Sequence, residues 1–323
     1  MDTGTRAVEP PTRADLEDAW QVVHKHLRPT PLDETSPPGS VPVTLKLESL
    51  QPTGAFKVRG ALAALAAVDP ERPVVTASAG NHAMGIAFAA DRLERKATVV
   101  TAQTASPVKL AGIRRLGLEP VCVGTSYDDA EAHALELAAA GARYVSPYND
   151  PHVIAGQATM GYELDNQLSG EPLTVVCGVG GGGMASGLGL WASTRPDVRV
   201  VGVEVSASMA VSAAVAAGRQ VDVEIGPTIA DGMGGNIEPG SVTVDLVSQY
   251  VDDLVSVSEQ QVRDAIRYLA FERGIVAEGS AAAPVAAALA GLVPSDRSVV
   301  AVVSGRNIAA GLLSEVLAEN ARG

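Results

Sequence analysis

The chain has 323 residues, 46% of them hydrophobic, and carries 24 basic against 37 acidic side chains for a net charge of −13. No block of Lys or Arg occurs, which argues against nucleic-acid and anionic-membrane partners, and no uninterrupted apolar run approaches the roughly 20 residues of a membrane span. Asp2, Glu9, Asp15 and Glu17, with no apolar core among them, do not make a signal peptide, so the expected compartment is the cytoplasm.

The length suggests two domains. Aromatic residues make up only 3%, so the core must rest on Ala, Val and Leu. A polar, Pro-rich lead-in over 1–40 surrounds one helix at 13–26. The alternating stretch 41–48 reads as a strand that runs into the loop Gln51-Pro52-Thr53-Gly54-Ala55-Phe56-Lys57. A helix follows at 60–67, with Lys57 in its first turn. From there strands at 73–77, 97–101, 119–123 and 143–145 alternate with helices at 83–93, 107–116 and 127–140. That alternation predicts a parallel sheet with helices on both faces.

A second round has strands at 173–177, 199–203 and 298–304 and helices at 155–168, 183–194, 209–217, 259–273, 280–292 and 308–319. The Gly/Pro-rich stretch 226–240 reads as a long loop. Cys122 and Cys177 each lie in an apolar run and are expected to be free, buried thiols. Neither falls in a metal-binding spacing.

Two α/β halves imply a cleft, and ligands of open α/β sheets bind beyond the carboxyl ends of the strands. Four loops fall at or beside such ends: 51–57, 78–82, 178–183 and 304–307. In the first, Lys57 and Arg59 stand at a helix N-terminus, where the dipole disfavours a cation by about 0.3–1 kcal/mol. Either both point into water, or Lys57 is held with a depressed pKa as an amine nucleophile for a carbonyl.

Gly178-Val179-Gly180-Gly181-Gly182-Gly183 follows a strand and opens a helix, an arrangement that cradles anions. It satisfies G-x-G-x-x-G, and Glu204 at the end of the next strand stands where a dinucleotide enzyme places its ribose acid. Four consecutive glycines exceed that fingerprint and suit a compact phosphate monoester. Ser78-Ala79-Gly80-Asn81-His82 is either an ordinary helix cap or a holder for a substrate carboxylate and a ring oxygen. Ser304, in Ser304-Gly305-Arg306-Asn307, either caps a helix or faces a ring nitrogen. None of the five histidines has a Ser or Asp neighbour arranged as a triad, so nucleophilic hydrolysis has no support.

In this order the lysine loop, the Ser-Ala-Gly-Asn-His loop, the tetraglycine and the terminal Ser-Gly-x-Asn resemble a fold-type II pyridoxal-phosphate enzyme, more narrowly the serine/threonine dehydratases. The resemblance runs from about Leu32 to Leu317. It extends to Val153-Ile154-Ala155-Gly156-Gln157, Gly202-Val203-Glu204, Thr228-Ile229-Ala230-Asp231-Gly232 and Ala277-Glu278-Gly279-Ser280-Ala281. It implies an α/β chain of two doubly wound parallel-sheet domains, tryptophan synthase β-like, with pyridoxal 5′-phosphate in the cleft. Residues 1–72 and 149–323 would form the large domain, and 73–148 a small mobile one.

By the same resemblance Lys57 carries the internal Schiff base and Ser78 takes part in catalysis. Phe56 packs beside the cofactor, and Gly180, Gly181, Gly182, Gly183 and Met184 bind its phosphate. Asn81 meets the phenolic oxygen, Ser304 the pyridine nitrogen, and Glu278 lies at the cofactor. Thr53, Ser78, Ala79, Gly80, Asn81, His82 and Gly232 contact the substrate.

The implied activity is loss of the β-hydroxyl of L-threonine, L-serine or a related amino acid, giving a 2-oxo acid and ammonia. A β-replacement synthase or a racemase on the same fold is the alternative. Racemases of the family carry a second serine at the position of Ala79, and their divalent site pairs a Glu with an Asp six residues on, whereas here Ala210 follows Glu204. No metal is therefore expected, nor a C-terminal regulatory domain with isoleucine feedback. Arg306 and Gly234-Gly235-Asn236 depart from the family pattern near the expected pocket. A homodimer is the expected assembly.

Overall fold

The computed structural model describes residues 7–36 and 42–319. Residue 41, expected to open the first strand, and parts of the lead-in lie outside the described residues.

Strands rich in Val and flanked by turns pair into two sheets. The larger has the order β1 (Leu32–Thr35), β2 (Val43–Lys46), β10 (Ser298–Val302), β7 (Leu173–Gly178), β8 (Val198–Val205) and β9 (Asp253–Val257). All its pairings are parallel except β1 with β2. The smaller is wholly parallel, in the order β5 (Val121–Cys122), β4 (Ala97–Thr101), β3 (Val74–Ala77) and β6 (Arg143–Tyr144).

A parallel strand covered on both faces reads as a continuous apolar run, and its successive residues serve opposite faces. In the large sheet Val176, Val201 and Val203 face α10 (Glu259–Arg273) and α11 (Gly279–Leu289). Val175, Cys177 and Val200 face α6 (Pro151–Gln167) and α7 (Gly183–Ala192), with α8 (Ala210–Ala217) and α9 (Val242–Tyr250) beside them. Helix α12 (Ala310–Ala318) joins the first group through Val316.

The small sheet is covered on one face by α5 (Tyr127–Ala139), through Ala130 and Ala134. Its other face meets α3 (Asn81–Arg92), and that core continues into α1 (Arg13–His26) and α2 (Lys57–Ala67): Val23, Leu27, Val58, Leu62 and Leu65 pack with Val74, Ile86 and Val99. The short α4 (Pro107–Arg114) is capped by Ser106 and adds Ile113 to this core.

The two-sheet α/β architecture matches the expected class, but several elements were not foreseen. β1 reads Leu-Asp-Glu-Thr and is an antiparallel edge strand with little burial to announce it. β9 is the opposite edge, also only half covered. α9 is dense in β-branched residues and folds as a helix because Ser241 caps it and Val242 and Leu246 pack on Ile154. α2 begins at Lys57 itself. α6 begins at Pro151, capped by Asp150, ahead of the expected start at 155. Cys177 is buried as expected, whereas Cys122 is only half-buried; both are free thiols.

Candidate active site

Adjacent parallel strands β2, β10 and β7 deliver three of the four loops to one edge of the large sheet, and β3 brings the fourth from the small sheet. The lysine loop is stitched to the loop after β10. The Phe56 N–H donates to the Ser304 carbonyl at 2.9 Å, and the Arg306 N–H donates to the Gly54 carbonyl at 2.9 Å. Gly54 sits at φ 77, where a side chain would be strained and would strike Asn307. This clasp fixes where α2 starts.

Lys57 does not point into open water. Its Nζ donates to the Pro147 carbonyl at 2.6 Å and stands 5.2 Å from the centre of the Phe56 ring. Burial pushes its pKa down to about 8, with the charge of Glu278 opposing. An amine of this kind is partly free near neutrality, as a carbonyl nucleophile requires.

Arg59 is wholly buried. Its Nε donates to Glu48 Oε2 and its Nη2 to Glu48 Oε1, each at 2.7 Å, while Nη1 lies 2.8 Å from Glu163 Oε1. Lys46 Nζ completes the group at 2.7 Å from Glu163 Oε2. Two cations and two anions balance beneath the first turn of α2. Burial works against the charged forms, but Arg59 outweighs it and holds the Glu48 carboxyl well below the usual range.

The loop after β3 is not a side-chain cap. Gly80 occupies the cap position of α3, and among the described residues no side chain caps the first amides. Ser78 instead accepts from the Gly80 N–H at 3.2 Å, which folds the loop into a turn with Ala79 inside it. An uncapped helix start favours an anion. His82 Nε2 donates to the Val145 carbonyl at 3.3 Å, and its Nδ1 has no hydrogen-bond partner among the described residues. Burial, then the nearby Lys57, lowers its pKa to about 3, so the imidazole is neutral.

The glycine loop opens α7 in the same uncapped way, with Gly182 at φ 84 and Met184 in the first turn. A Cβ on Gly180 would come 2.6 Å from the Gly232 carbonyl, and one on Gly181 2.4 Å from the Tyr148 ring. On Gly183 it would lie 3.0 Å from Tyr148. Tyr148 is in turn fixed by the Glu238 N–H, which donates to its hydroxyl at 2.8 Å. Since Pro147 receives Lys57 and Tyr148 packs on the glycines, the lysine and the anion cradle flank the same two residues.

Glu204, offered by the dinucleotide reading as a ribose acid, is buried and committed elsewhere. Its carboxylate accepts from the Val211 and Ser212 N–H groups at 2.9 and 3.1 Å and from the Ser212 hydroxyl. It caps α8 and is not available to a nucleotide, so the dinucleotide reading loses its ribose acid.

The remaining candidates collect around Glu278. Asn81 Nδ2 donates to Glu278 Oε1 at 2.7 Å, and the Asn307 N–H donates to Glu278 Oε2 at 3.0 Å. Thr53 is buried with its hydroxyl donating to the Ala55 carbonyl at 3.1 Å, and Ser304 is buried beside it in the clasp. Gly232 N–H donates to the Ser280 hydroxyl at 3.1 Å, which ties the 226–240 loop to α11. Arg306 turns away from this cluster and donates to the Ser49 carbonyl.

Pro147, Tyr148 and Asn307 had no assigned role in the sequence. Only Asn307 carried a signal, as the last residue of the Ser-Gly-x-Asn turn. The donor set fits pyridoxal phosphate: a desolvated amine, two uncapped helix starts and a side-chain-free cradle.

Comparison with known proteins agrees. The profile of the pyridoxal-phosphate dependent enzymes matches residues 23–305. An L-threonine ammonia-lyase of Thermotoga maritima is 38% identical over 314 residues, covering 95% of this chain and 78% of that protein. The crystal structure of a T.th. threonine deaminase superposes with a TM-score of 0.83 at 33% identity, over 93% of this chain and 99% of that one. Maize serine racemase superposes with a TM-score of 0.86 at 26% identity, over 97% and 99% of the two chains. With a lysine, a glycine cradle and a cleft arranged as described, the chain belongs to the family of pyridoxal-phosphate dependent enzymes.

Proposed function

We propose that this protein is a lyase that eliminates the β-hydroxyl of L-threonine, L-serine or a related β-hydroxy amino acid. The observation that carries the reading is Lys57, desolvated and set beside an uncapped tetraglycine helix start. Pyridoxal phosphate bound there supplies a conjugated ring that disperses the charge left when an α-proton departs.

The protein's own groups supply the rest. The amides of Gly180 to Met184 hold the phosphate at the α7 N-terminus. Ser78, the His82 amide and Thr53 seat the substrate carboxylate, with Ala79, Gly80 and Gly232 lining the pocket. Asn81 donates to the phenolic oxygen. Lys57, once free, takes the α-proton as general base. Ser304 offers the ring nitrogen a neutral hydroxyl rather than a carboxylate, which keeps negative charge on the substrate short-lived and favours expulsion of the β-hydroxyl. The released enamine hydrolyses to a 2-oxo acid and ammonia.

Residues 73–148 act in this reading as a small mobile lobe that closes on the substrate. The homodimer and the cytoplasmic setting belong to it also; among the described residues no helix is long and apolar enough to cross a membrane. Ala79 carries no proton-transfer group on the face opposite Lys57, so racemisation is expected to be minor.

The test is a panel of β-hydroxy amino acids assayed for 2-oxo acid with added cofactor, alongside chiral analysis and serine plus a thiol. Accumulation of a D-isomer or a thioether without 2-oxo acid rejects the lyase reading. Within the site, Gly181→Ala forces a methyl group against the Tyr148 ring. Overpacking of this kind costs about 1–3 kcal/mol, so titration of cofactor-free protein is expected to show roughly 5- to 150-fold weaker cofactor affinity.

A further inference from the structure

A closed ring of hydrogen bonds spans the cleft between the two sheets. Asn81, at the start of α3 on the small sheet, donates from Nδ2 to Glu278 Oε1 at 2.7 Å and accepts at Oδ1 from Asn307 Nδ2 at 2.7 Å. Asn307, in the loop after β10, also donates its backbone N–H to Glu278 Oε2 at 3.0 Å and its Nδ2 to the Thr53 carbonyl at 3.0 Å.

Two members of this ring cannot be turned round: the Asn307 backbone N–H always donates and the Thr53 carbonyl always accepts. Asn307 must therefore present Nδ2 to Thr53 and Asn81. Asn81 must then present Oδ1 to Asn307 and Nδ2 to Glu278. Glu278 is left to accept at both oxygens. A carboxylate does this, whereas a carboxylic acid turns one oxygen into a donor and sets it against another donor. The Asn307 N–H is fixed by the chain, so the contact that yields is the one to Asn81.

The charged surroundings divide by lobe. Burial, then Asp231 on the 226–240 loop, pushes the Glu278 pKa up, to about 7. Asn81, the Asn307 N–H and Lys109 act in the other direction. Lys57 also feels the charge of Glu278. Asn81 and Lys109 belong to α3 and α4, on the small-sheet side, and Lys109 reaches across to Asp231 at 3.0 Å. Withdrawing the small sheet would remove two groups that favour the ionised form, while the Gly305 turn of the large sheet, which lies against Glu278 Oε1 and contributes to the burial that opposes ionisation, would stay in place. For the Asn81 contact, proton uptake and contact therefore oppose each other by linkage. The sign follows: this contact is made above the Glu278 pKa and weakened as pH falls through it.

We propose that Glu278 is a positioning residue whose carboxylate, acting through Asn81, holds α3 against the loops of the large sheet, and that protonation releases this hold. The inference rests on the lyase reading for its consequence in catalysis, since Asn81 is the group placed at the cofactor's phenolic oxygen.

Hydrogen exchange of the cofactor-loaded protein reads the hold without turnover. The backbone amides of Met84 to Ala87 are followed at pH 6 and pH 8, corrected for intrinsic rates. In the native protein, protection is expected to be several-fold higher at pH 8. In Glu278→Gln it is expected to be low at both values, with the step gone, while Glu278→Asp keeps a reduced step. In parallel, the pH profile of kcat/KM loses its inflection near neutrality in Glu278→Gln. Equal protection at both pH values in the native protein, or an unchanged step in Glu278→Gln, overturns the proposal. If Glu278→Gln does not fold, a step in the native protein that moves in Glu278→Asp supports the proposal, and one that does not move overturns it. Failure of the lyase reading appears separately, as native protein that releases no 2-oxo acid.

Discussion

Lys57→Ala is expected to abolish the visible absorbance of a lysine-linked cofactor and to lower kcat by at least about 10²–10⁴-fold, the usual contribution of a positioned acid–base group. Stability should change little, because the side chain's one hydrogen bond among the described residues is to the Pro147 carbonyl. The pKa gives a second arm. At pH 7 a group titrating near 8 is free amine in about one molecule in ten, whereas one at 10.5 is free in about one in 3,000. Loading of cofactor-free protein should therefore speed up about fivefold between pH 7 and pH 8 and level off above about pH 9. Stopped-flow absorbance follows it. Wild-type absorbance and turnover in Lys57→Ala would remove the lysine from the mechanism.

The second large effect is on folding. Arg59→Leu leaves Glu48 buried without its main partner and Glu163 with Lys46 as its remaining ion-pair partner among the described residues. Breaking a buried pair from one side typically costs about 3–5 kcal/mol, against a total stability of about 5–15 kcal/mol for a protein domain. Urea denaturation should show the midpoint falling with the slope unchanged. The exposed Arg13–Glu17 pair, with side chains 77% and 58% accessible, is the contrast and should be removable without measurable loss. The sign with pH is fixed by Glu48, whose folded pKa is depressed: its contribution is complete above about pH 4.5 and lost as pH falls toward 2. An Arg59→Leu protein as stable as the native one would show that the four charges do not depend on each other.

Much of the site could be read from residue order because its chemistry needs special residues at special places. A lysine at a helix start and four glycines after an apolar strand break ordinary propensity, and each such break marked a position that the fold brings to the candidate site. The four loops were found through the rule that ligands sit beyond strand carboxyl ends, which needs only strand order along the chain. Arg59 was harder: a second cation at the same helix start reads as a surface residue until Glu48 and Glu163, 11 and 104 positions away, are seen to enclose it. Asn307 and Tyr148 act through contacts 226 and 90 residues apart in sequence, to Asn81 and to Glu238. No local pattern encodes such pairings. The edge strands β1 and β9 were missed for a different reason: with one side open to water they lack the continuous apolar run of β7 and β8.

The shared core of α1, α2 and α3 bears on how this protein can be recombined. A chimera exchanging 73–148 with a relative would bring its own sheet but would inherit part of the packing on one face of that sheet from Val23, Leu27, Val58, Leu62 and Leu65 of the recipient. Close-packed interiors register a change of even one methylene, so the donor segment must be matched to helices lying outside its boundaries. Lys57, proposed as the reactive amine, stands on one of them, so a mismatch at the seam would be transmitted to the candidate site.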